Sequence, residues 1–139
     1  MFRQLSVRLE NKPGMLKNLC DLLLEHDIEI RALTVANSAE YSLLLLLVDK
    51  PDDCIDILDK NNYSNSAEMV LAVKIKSDHN TKGLQEIAKV LGDNNINIEY
   101  IYSTLVKDEA LLILRVDDNE GAIEILKDDG FIIEERESV

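Results

Sequence analysis

The chain has 139 residues, of which 46% are hydrophobic, and its 27 acidic and 15 basic side chains give a formal net charge of −12. This hydrophobic content excludes a disordered or fibrous chain and suffices for one ordinary core or two small ones. The negative charge repels phosphate backbones and anionic lipid surfaces, so the composition argues against a nucleic-acid or membrane partner.

The first predicted elements are an alternating strand and an amphipathic helix. Apolar and polar residues alternate over residues 5–10, which is typical of a strand with one buried face. Leucines and a cysteine then recur at helical spacing from Leu16 to about Glu25. Between them, Pro13 suits the first turn of the helix, and Gly14 lets the backbone approach another group closely. The unpaired N–H groups at this helix start favour a carboxylate or phosphate ligand.

Two more strands and a second helix follow. A second strand is predicted by the alternating residues Ile28, Ile30, Ala32 and Thr34, and it ends in a polar turn. Residues 41–48 are apolar along most of their length, which is typical of a central strand buried on both faces. A helix then begins with proline and acidic residues at 49–53 and ends at 61–62. A fourth strand is expected at about residues 64–68.

The same pattern then occurs a second time. Adding 68 to a residue number repeats it without a gap from Glu10 to Tyr63, and the fourth strand of the second copy is expected from Phe131 to Glu135. The chain is therefore a tandem duplication, with repeats at 1–68 and 69–139. No linker separates the copies, so we expect a rigid, pseudo-symmetric pair joined by one long strand or two in direct succession.

Each repeat has the order strand, helix, strand, strand, helix, strand. Two strand–helix–strand halves with right-handed crossovers and helices on one face of an antiparallel sheet give the ferredoxin-like βαββαβ arrangement. The predicted fold class is therefore α+β, with two ferredoxin-like units. This fold carries many functions and decides none of them by itself.

The residues from Glu10 to Leu16, followed by a helix and then by Asp27 to Leu33, resemble the opening of an ACT domain. The resemblance covers both repeats and thus nearly the whole chain. ACT domains are small-molecule sensors, usually for amino acids, that form part of metabolic enzymes or their regulatory subunits. With no catalytic domain attached, the chain is similar to a stand-alone tandem ACT protein.

The resemblance implies a ligand held between paired domains, by the first turn of one domain and the second strand of its neighbour. The positions that match are Asn11, Lys12, Pro13, Gly14, Met15 and Leu16 in the turn, and Tyr100, Ile101 and Tyr102 in the second strand of the other repeat. A free amino acid would offer its carboxylate to the backbone N–H groups of residues 14–16. Its ammonium group would contact carbonyl oxygens or the side-chain oxygen of Asn11.

The second repeat departs from this pattern. The residues opposite positions 11–15 are His79, Asn80, Thr81, Lys82 and Gly83, so the proline is absent and the glycine is shifted by one. Lys82 either blocks close approach of a ligand or supplies a cation for its acid group. We expect impaired or altered binding at this turn.

The two cysteines, Cys20 and Cys54, lie on the apolar side of helical patterns. We expect free buried thiols in a reducing cytoplasm rather than a disulfide. The amino terminus lacks the apolar core of a signal peptide, and the apolar run at 43–48 is too short to span a bilayer. No cofactor and no metal are expected.

Three functions remain open at this stage. The first is a regulatory, allosteric sensor of a free amino acid, in which ligand binding favours one arrangement of the paired units. The second is a regulatory subunit that mainly binds a metabolic enzyme through its acidic surface and exposed strand edges, with little ligand affinity. A small enzyme is disfavoured, because the sequence shows no nucleophile with a base, no metal-ligand cluster and no phosphate-binding glycine loop. The strand edges also suit a homodimer.

Overall fold

A computed structural model of the protein describes residues 1–37, 40–76, 80–106 and 109–134. Its elements in chain order are β1 (Phe2–Glu10), α1 (Met15–Glu25), β2 (Ile30–Asn37), β3 (Tyr41–Val48), α2 (Pro51–Lys60), β4 (Asn65–Lys76), α3 (Asn80–Asp93), β5 (Ile98–Val106), β6 (Glu109–Val116), α4 (Asn119–Asp128) and β7 (Ile132–Glu134). Every predicted strand and helix is present. The short last strand begins at Ile132, one residue later than predicted.

The chain folds into two compact units. The first unit comprises Arg3–Glu68, and the second comprises Met1–Phe2 together with the residues from Met69 onward. Strand β4 runs without interruption from the first unit into the second, as the missing linker predicts. The repeat boundaries at 1–68 and 69–139 remain a prediction, from which these units differ at the first two residues.

Both units have the strand order of a ferredoxin-like sheet. In the first unit, β3 pairs antiparallel with β1 and β2, and the Arg8 N–H donates to the Ser64 carbonyl at 3.0 Å next to the start of β4. In the second unit, β4 lies between β7 and β6, and β6 pairs with β5, all antiparallel. Numbered within each unit, the order is fourth, first, third, second strand. The predicted α+β fold with two βαββαβ units is confirmed.

In each unit, both helices bury a stripe of apolar residues against the sheet. The buried positions of the second unit are those of the first plus 68. In the first unit the fully covered helix residues are Leu19, Leu23, Cys54 and Leu58, and in the second they are Ile87, Leu91, Ala122 and Leu126. Each set joins the apolar residues of the first and third strands of its unit in one core. The repeated sequence pattern thus encodes a repeated core.

Strand β3 is buried on both faces over residues 44–48, as its apolar sequence predicts. Strand β2 differs from the prediction, because its register against β3 shifts between Ile30 and Ala32. One extra residue at this bulge reverses the alternation, so that Ile30 and Leu33 share the helix-covered face and Ala32 lies on the other. The prediction of uninterrupted alternation from Ile28 to Thr34 is therefore wrong.

A carboxylate after the third strand fixes the start of the second strand in both units. The Asp49 Oδ1 atom accepts from the Glu29 N–H at 2.9 Å, and the Asp49 N–H donates to the Glu29 carbonyl at 3.1 Å. The equivalent atoms of Asp117 and Asn97 form the same pair of hydrogen bonds at 3.0 and 3.2 Å. This reciprocal pairing holds the bulged strand in place next to its neighbour.

The two cysteines form no disulfide. Cys54 is buried and Cys20 is half-buried, so the prediction of free thiols is confirmed and full burial holds for Cys54 alone. Within the described ranges, no helix is long and apolar enough to cross a membrane.

Truncation of a core leucine should lower the free energy of unfolding far more than truncation of an exposed leucine on the same helix. Leu19 is fully buried in α1, whereas Leu24 is 69% exposed. We expect Leu19→Ala to lower the free energy of unfolding by about 2–5 kcal/mol and Leu24→Ala to change it by less than about 0.5 kcal/mol. Urea unfolding of both variants measures the difference. Equal losses would contradict the packing described for α1.

Burial raises the pKa of the Cys54 thiol from its ordinary value of 9.0 to about 11, with a smaller effect from the carboxylate of Asp49. Because the pKa of this thiol is higher in the folded than in the unfolded protein, its contribution to stability is fully present below pH 9 and is lost as the pH rises through 11. We therefore expect the difference in unfolding free energy between the wild type and Cys54→Ala to shrink between pH 9 and pH 11. Urea unfolding at fixed pH tests this, with Cys20→Ala as control, and a constant difference would refute it.

Candidate functional site

The turn between β1 and α1 is built around a left-handed glycine. Gly14 has φ 86° and ψ −9°, a left-handed backbone conformation that residues with a Cβ rarely adopt. It is the residue before the helix, which begins at Met15, so the prediction that Pro13 lies in the first helical turn is wrong. The Gly14 carbonyl accepts from the Asn18 N–H at 3.0 Å. In the described part of the chain, no side chain caps this helix, and the Met15 N–H donates to the Lys12 carbonyl at 3.5 Å. Other N–H groups of the first turn are left for an outside acceptor.

A cavity of about 140 Å³ lies beside this turn, within the first unit. Four of the predicted turn residues line it: Asn11, Lys12, Met15 and Leu16. Pro13 and Gly14 shape the backbone of the turn but are not part of the lining. The structure thus brings most of the predicted turn residues together around one opening.

Further residues that were not predicted from the sequence complete this cavity. Leu9 and Leu44 provide apolar surface, and Val35 and Ser42 enter from β2 and β3. Val35 pairs directly with Leu44 across the two strands. The signal that could have identified Val35 is the register of β2, which depends on the bulge at its start. The cavity therefore has an apolar side and a polar rim.

The rim of the cavity carries an exposed ion pair. Lys12 Nζ lies 2.7 Å from Glu10 Oε2, and both side chains are more than half exposed. The hydrogen bond from Lys12 lowers the pKa of Glu10, and the same contact raises the pKa of Lys12. A ligand carboxylate would compete with Glu10 for this lysine. The backbone N–H groups at the helix start are therefore better suited than Lys12 to bind a ligand carboxylate.

The described residues of the cavity offer binding groups but no catalytic pair. Among the described residues that line it, Ser42 carries the one hydroxyl, and this hydroxyl donates to the Asn37 side-chain oxygen at 2.6 Å. An amide oxygen cannot remove the proton of a nucleophile. Over the residues that the structure describes, no group of three or more His, Cys, Asp or Glu side chains could hold a metal ion. The arrangement is suited to holding a small molecule.

The second predicted part of the site lies on β5. Tyr100 pairs with Arg115 and Tyr102 pairs with Ile113, so the two tyrosines share one face of the strand, and burial raises the pKa of the Tyr102 hydroxyl. Ile101 faces the other way and packs against the core under the helices. These residues belong to the second unit, and their contact with a ligand at the turn of the first remains a prediction.

The corresponding turn of the second repeat has a different backbone. Helix α3 begins at Asn80, three positions earlier than α1 does in the aligned repeat, so Thr81 and Lys82 are helical where the first repeat has its Pro-Gly turn. The glycine of this repeat, Gly83, also has a different structural role. A Cβ added to Gly83 would lie 2.9 Å from Ile75 Cγ2, so the glycine allows close packing of helix on strand. His79 lies outside the described residues.

The family model described as "ACT domain pair" matches residues 1–138. The chain belongs to this family. The predicted ACT resemblance is therefore confirmed over both repeats, and the protein is an ACT domain pair, a regulatory type of module.

Solved structures share this fold. Protein BT0572 from Bacteroides thetaiotaomicron is 27% identical, with a TM-score of 0.88 over 96% of this chain and 91% of that one. The ligand-free regulatory subunit of aspartate kinase from Thermus thermophilus is 13% identical, with a TM-score of 0.70 over 92% of each chain. The corresponding subunit from Thermus flavus is 12% identical, with a TM-score of 0.63 over 91% of this chain and 90% of that one. Among curated protein sequences, none matches the chain significantly.

A side chain added at position 14 of the turn should destabilise the protein through backbone strain alone. A Cβ at Gly14 would meet nothing within 4 Å, so Gly14→Ala creates no clash but forces alanine into a left-handed conformation. We expect a loss of about 1–2 kcal/mol in the free energy of unfolding. Gly92→Ala is the matched control, because Gly92 also has open space but lies in a helix, where alanine should stabilise by up to about 1 kcal/mol. Urea unfolding that gave both variants the same sign would contradict the assigned turn.

Proposed function

We propose that this ACT domain pair is a non-catalytic sensor that binds a free amino acid and thereby regulates amino-acid metabolism. The observation that carries the proposal is the cavity beside the uncapped start of α1, next to the left-handed Gly14. Partial positive charge at a helix start attracts a carboxylate, and the apolar side of the cavity suits part of a side chain.

The size of the cavity supports a shared site. At about 140 Å³ it lies below the roughly 300–1,000 Å³ of drug-sized ligand pockets, so the first unit would supply one wall. We propose that the second wall comes from another ACT unit, through the segment Tyr100 to Tyr102. The ligand carboxylate would accept from N–H groups of residues 14–16, and the ammonium group would contact the Asn11 side-chain oxygen or nearby carbonyls.

Binding of this kind regulates by linkage. A ligand held between two units stabilises one arrangement of them, and a partner that recognises this arrangement binds more tightly in return. Two structures of this fold are named as regulatory subunits of aspartate kinase. By analogy, we propose that this chain acts in the cytoplasm as a homodimer and regulates a metabolic enzyme.

A specific observation supports a second candidate, a regulatory subunit that binds its enzyme with little ligand affinity. Leu33 is 48% exposed and Val35 is 42% exposed, and both lie on β2, an edge strand of the first unit. Apolar side chains on an edge strand can pair with a partner protein. The two candidates differ in whether a free amino acid binds.

A thermal-shift screen against the twenty amino acids tests the sensor. A ligand that binds only the folded protein stabilises it by about 2.7 kcal/mol at a hundredfold excess over its Kd, which raises the melting temperature by several degrees. We expect one or two amino acids to produce this shift in the wild type and none to produce it in Gly14→Asn. Asparagine tolerates the left-handed backbone and adds a side chain at the helix start.

The matched control is Gly92→Asn, which adds the same side chain on the exposed part of α3. It should keep the ligand-induced shift. A shift that survives unchanged in Gly14→Asn would show that the site lies elsewhere. No shift from any amino acid, in a folded sample, would favour the enzyme-binding subunit.

A further inference from the structure

Ser42 lies in the middle of the sheet surface that lines the first-unit cavity. It is on β3, and it pairs with Leu9 of β1 on one side and with Asn37 of β2 on the other. In the next row of the same face, Leu44 pairs with Val35. The serine and the three apolar side chains all line the cavity. On this surface a polar side chain is therefore set among apolar ones.

The hydrogen bond of this serine determines what its hydroxyl can offer to a ligand. Ser42 Oγ donates to Asn37 Oδ1 at 2.6 Å. A hydroxyl has one hydrogen and two lone pairs, so a serine that donates to Asn37 can only accept from a third group. Ser42 is half-buried, and a ligand in the cavity would take the place of solvent next to it. The cavity therefore presents a hydrogen-bond acceptor to the side chain of its ligand.

The sheet itself does not need this polar pair. The residues 68 positions after Asn37 and Ser42 are Leu105 and Ala110. They pair across β5 and β6 in the same register in which Asn37 and Ser42 pair across β2 and β3. A leucine and an alanine thus take the same places in the same fold. The serine–asparagine hydrogen bond belongs to the first repeat, which also has the Pro-Gly turn, so we connect it with the cavity.

We propose that Ser42 determines specificity, and that the ligand has a short side chain with a neutral hydrogen-bond donor, a hydroxyl or an amide. The inference rests on the amino-acid sensor proposed above and concerns the side chain of the ligand alone. The donor would satisfy the Ser42 oxygen, and the aliphatic part would pack against Leu9 and Leu44. An apolar side chain of the same shape would cover this oxygen without a partner and bind more weakly. The cavity volume of about 140 Å³ favours a short side chain.

Amino acids of matching shape make a direct test possible. L-threonine and L-valine differ in one hydroxyl. L-asparagine carries a donor, whereas L-aspartate has acceptors only and L-leucine has neither. By isothermal titration calorimetry of the full chain, we expect threonine to bind at least about tenfold more tightly than valine, or asparagine at least about tenfold more tightly than both aspartate and leucine.

Three variants test the role of the serine through the ratio of these affinities. Ser42→Ala removes the acceptor and should abolish the preference, and Ala110 at the aligned position shows that the fold accommodates alanine there. Asn37→Asp can only accept from the Ser42 hydroxyl, so it should keep the preference. Ser66→Ala is the matched control, because Ser66 is an exposed serine on β4 that does not line the cavity. It should leave every affinity unchanged.

The possible outcomes separate the role of Ser42 from the sensor itself. A preference for the donor that is lost in Ser42→Ala and kept in Asn37→Asp supports the assignment. It is overturned if valine or leucine binds as tightly as the matching donor, if the preference survives in Ser42→Ala, or if only amino acids with charged or apolar side chains bind. In those three cases the amino-acid sensor stands. If none of the twenty amino acids binds to the folded protein, the sensor fails as well.

Discussion

In each repeat of this ACT pair, two helices among the described residues cover one face of a four-stranded sheet. Two residues per helix carry most of that burial, and in the first unit Leu19 and Leu23 fix how α1 lies on the strands. Because α1 is fixed in this way, its start must lie at the end of β1, where a short turn has to reverse the chain. The left-handed Gly14 makes that reversal possible and leaves the helix start without a side-chain cap. The candidate site is thus a consequence of core packing.

The two repeats use the same framework in different ways. In the first, Met15 packs against the core and the left-handed Gly14 forms the turn, which leaves the helix start without a side-chain cap. In the second, the helix begins three positions earlier and Gly83 packs directly on Ile75. A shift of the glycine by one position therefore accompanies a change in where the helix begins and in how closely it packs on the strand.

Much of this structure could be predicted from the sequence. The 68-residue repeat, the buried β3 and the helical stripes depend on local patterns, and these patterns suffice for fold class and element order. The bulge in β2 could not be predicted, because Ile30 and Ala32 continue the alternation in the sequence while their pairing with β3 shifts. For the same reason Val35 was missed at the cavity, since its position depends on register between strands.

The shared irregularities also carry a record of how the chain arose. The register shift in β2 recurs between Ile98 and Tyr100 of β5, and the hydrogen-bond pair of Asp49 recurs at Asp117, both displaced by 68 residues. Independent appearance of such features at matching positions is improbable, so they belonged to a single ancestral domain before its gene was duplicated. The Pro-Gly turn is found in one copy alone and marks divergence after that event. Differences between the copies at α1 and α3 therefore arose after the duplication.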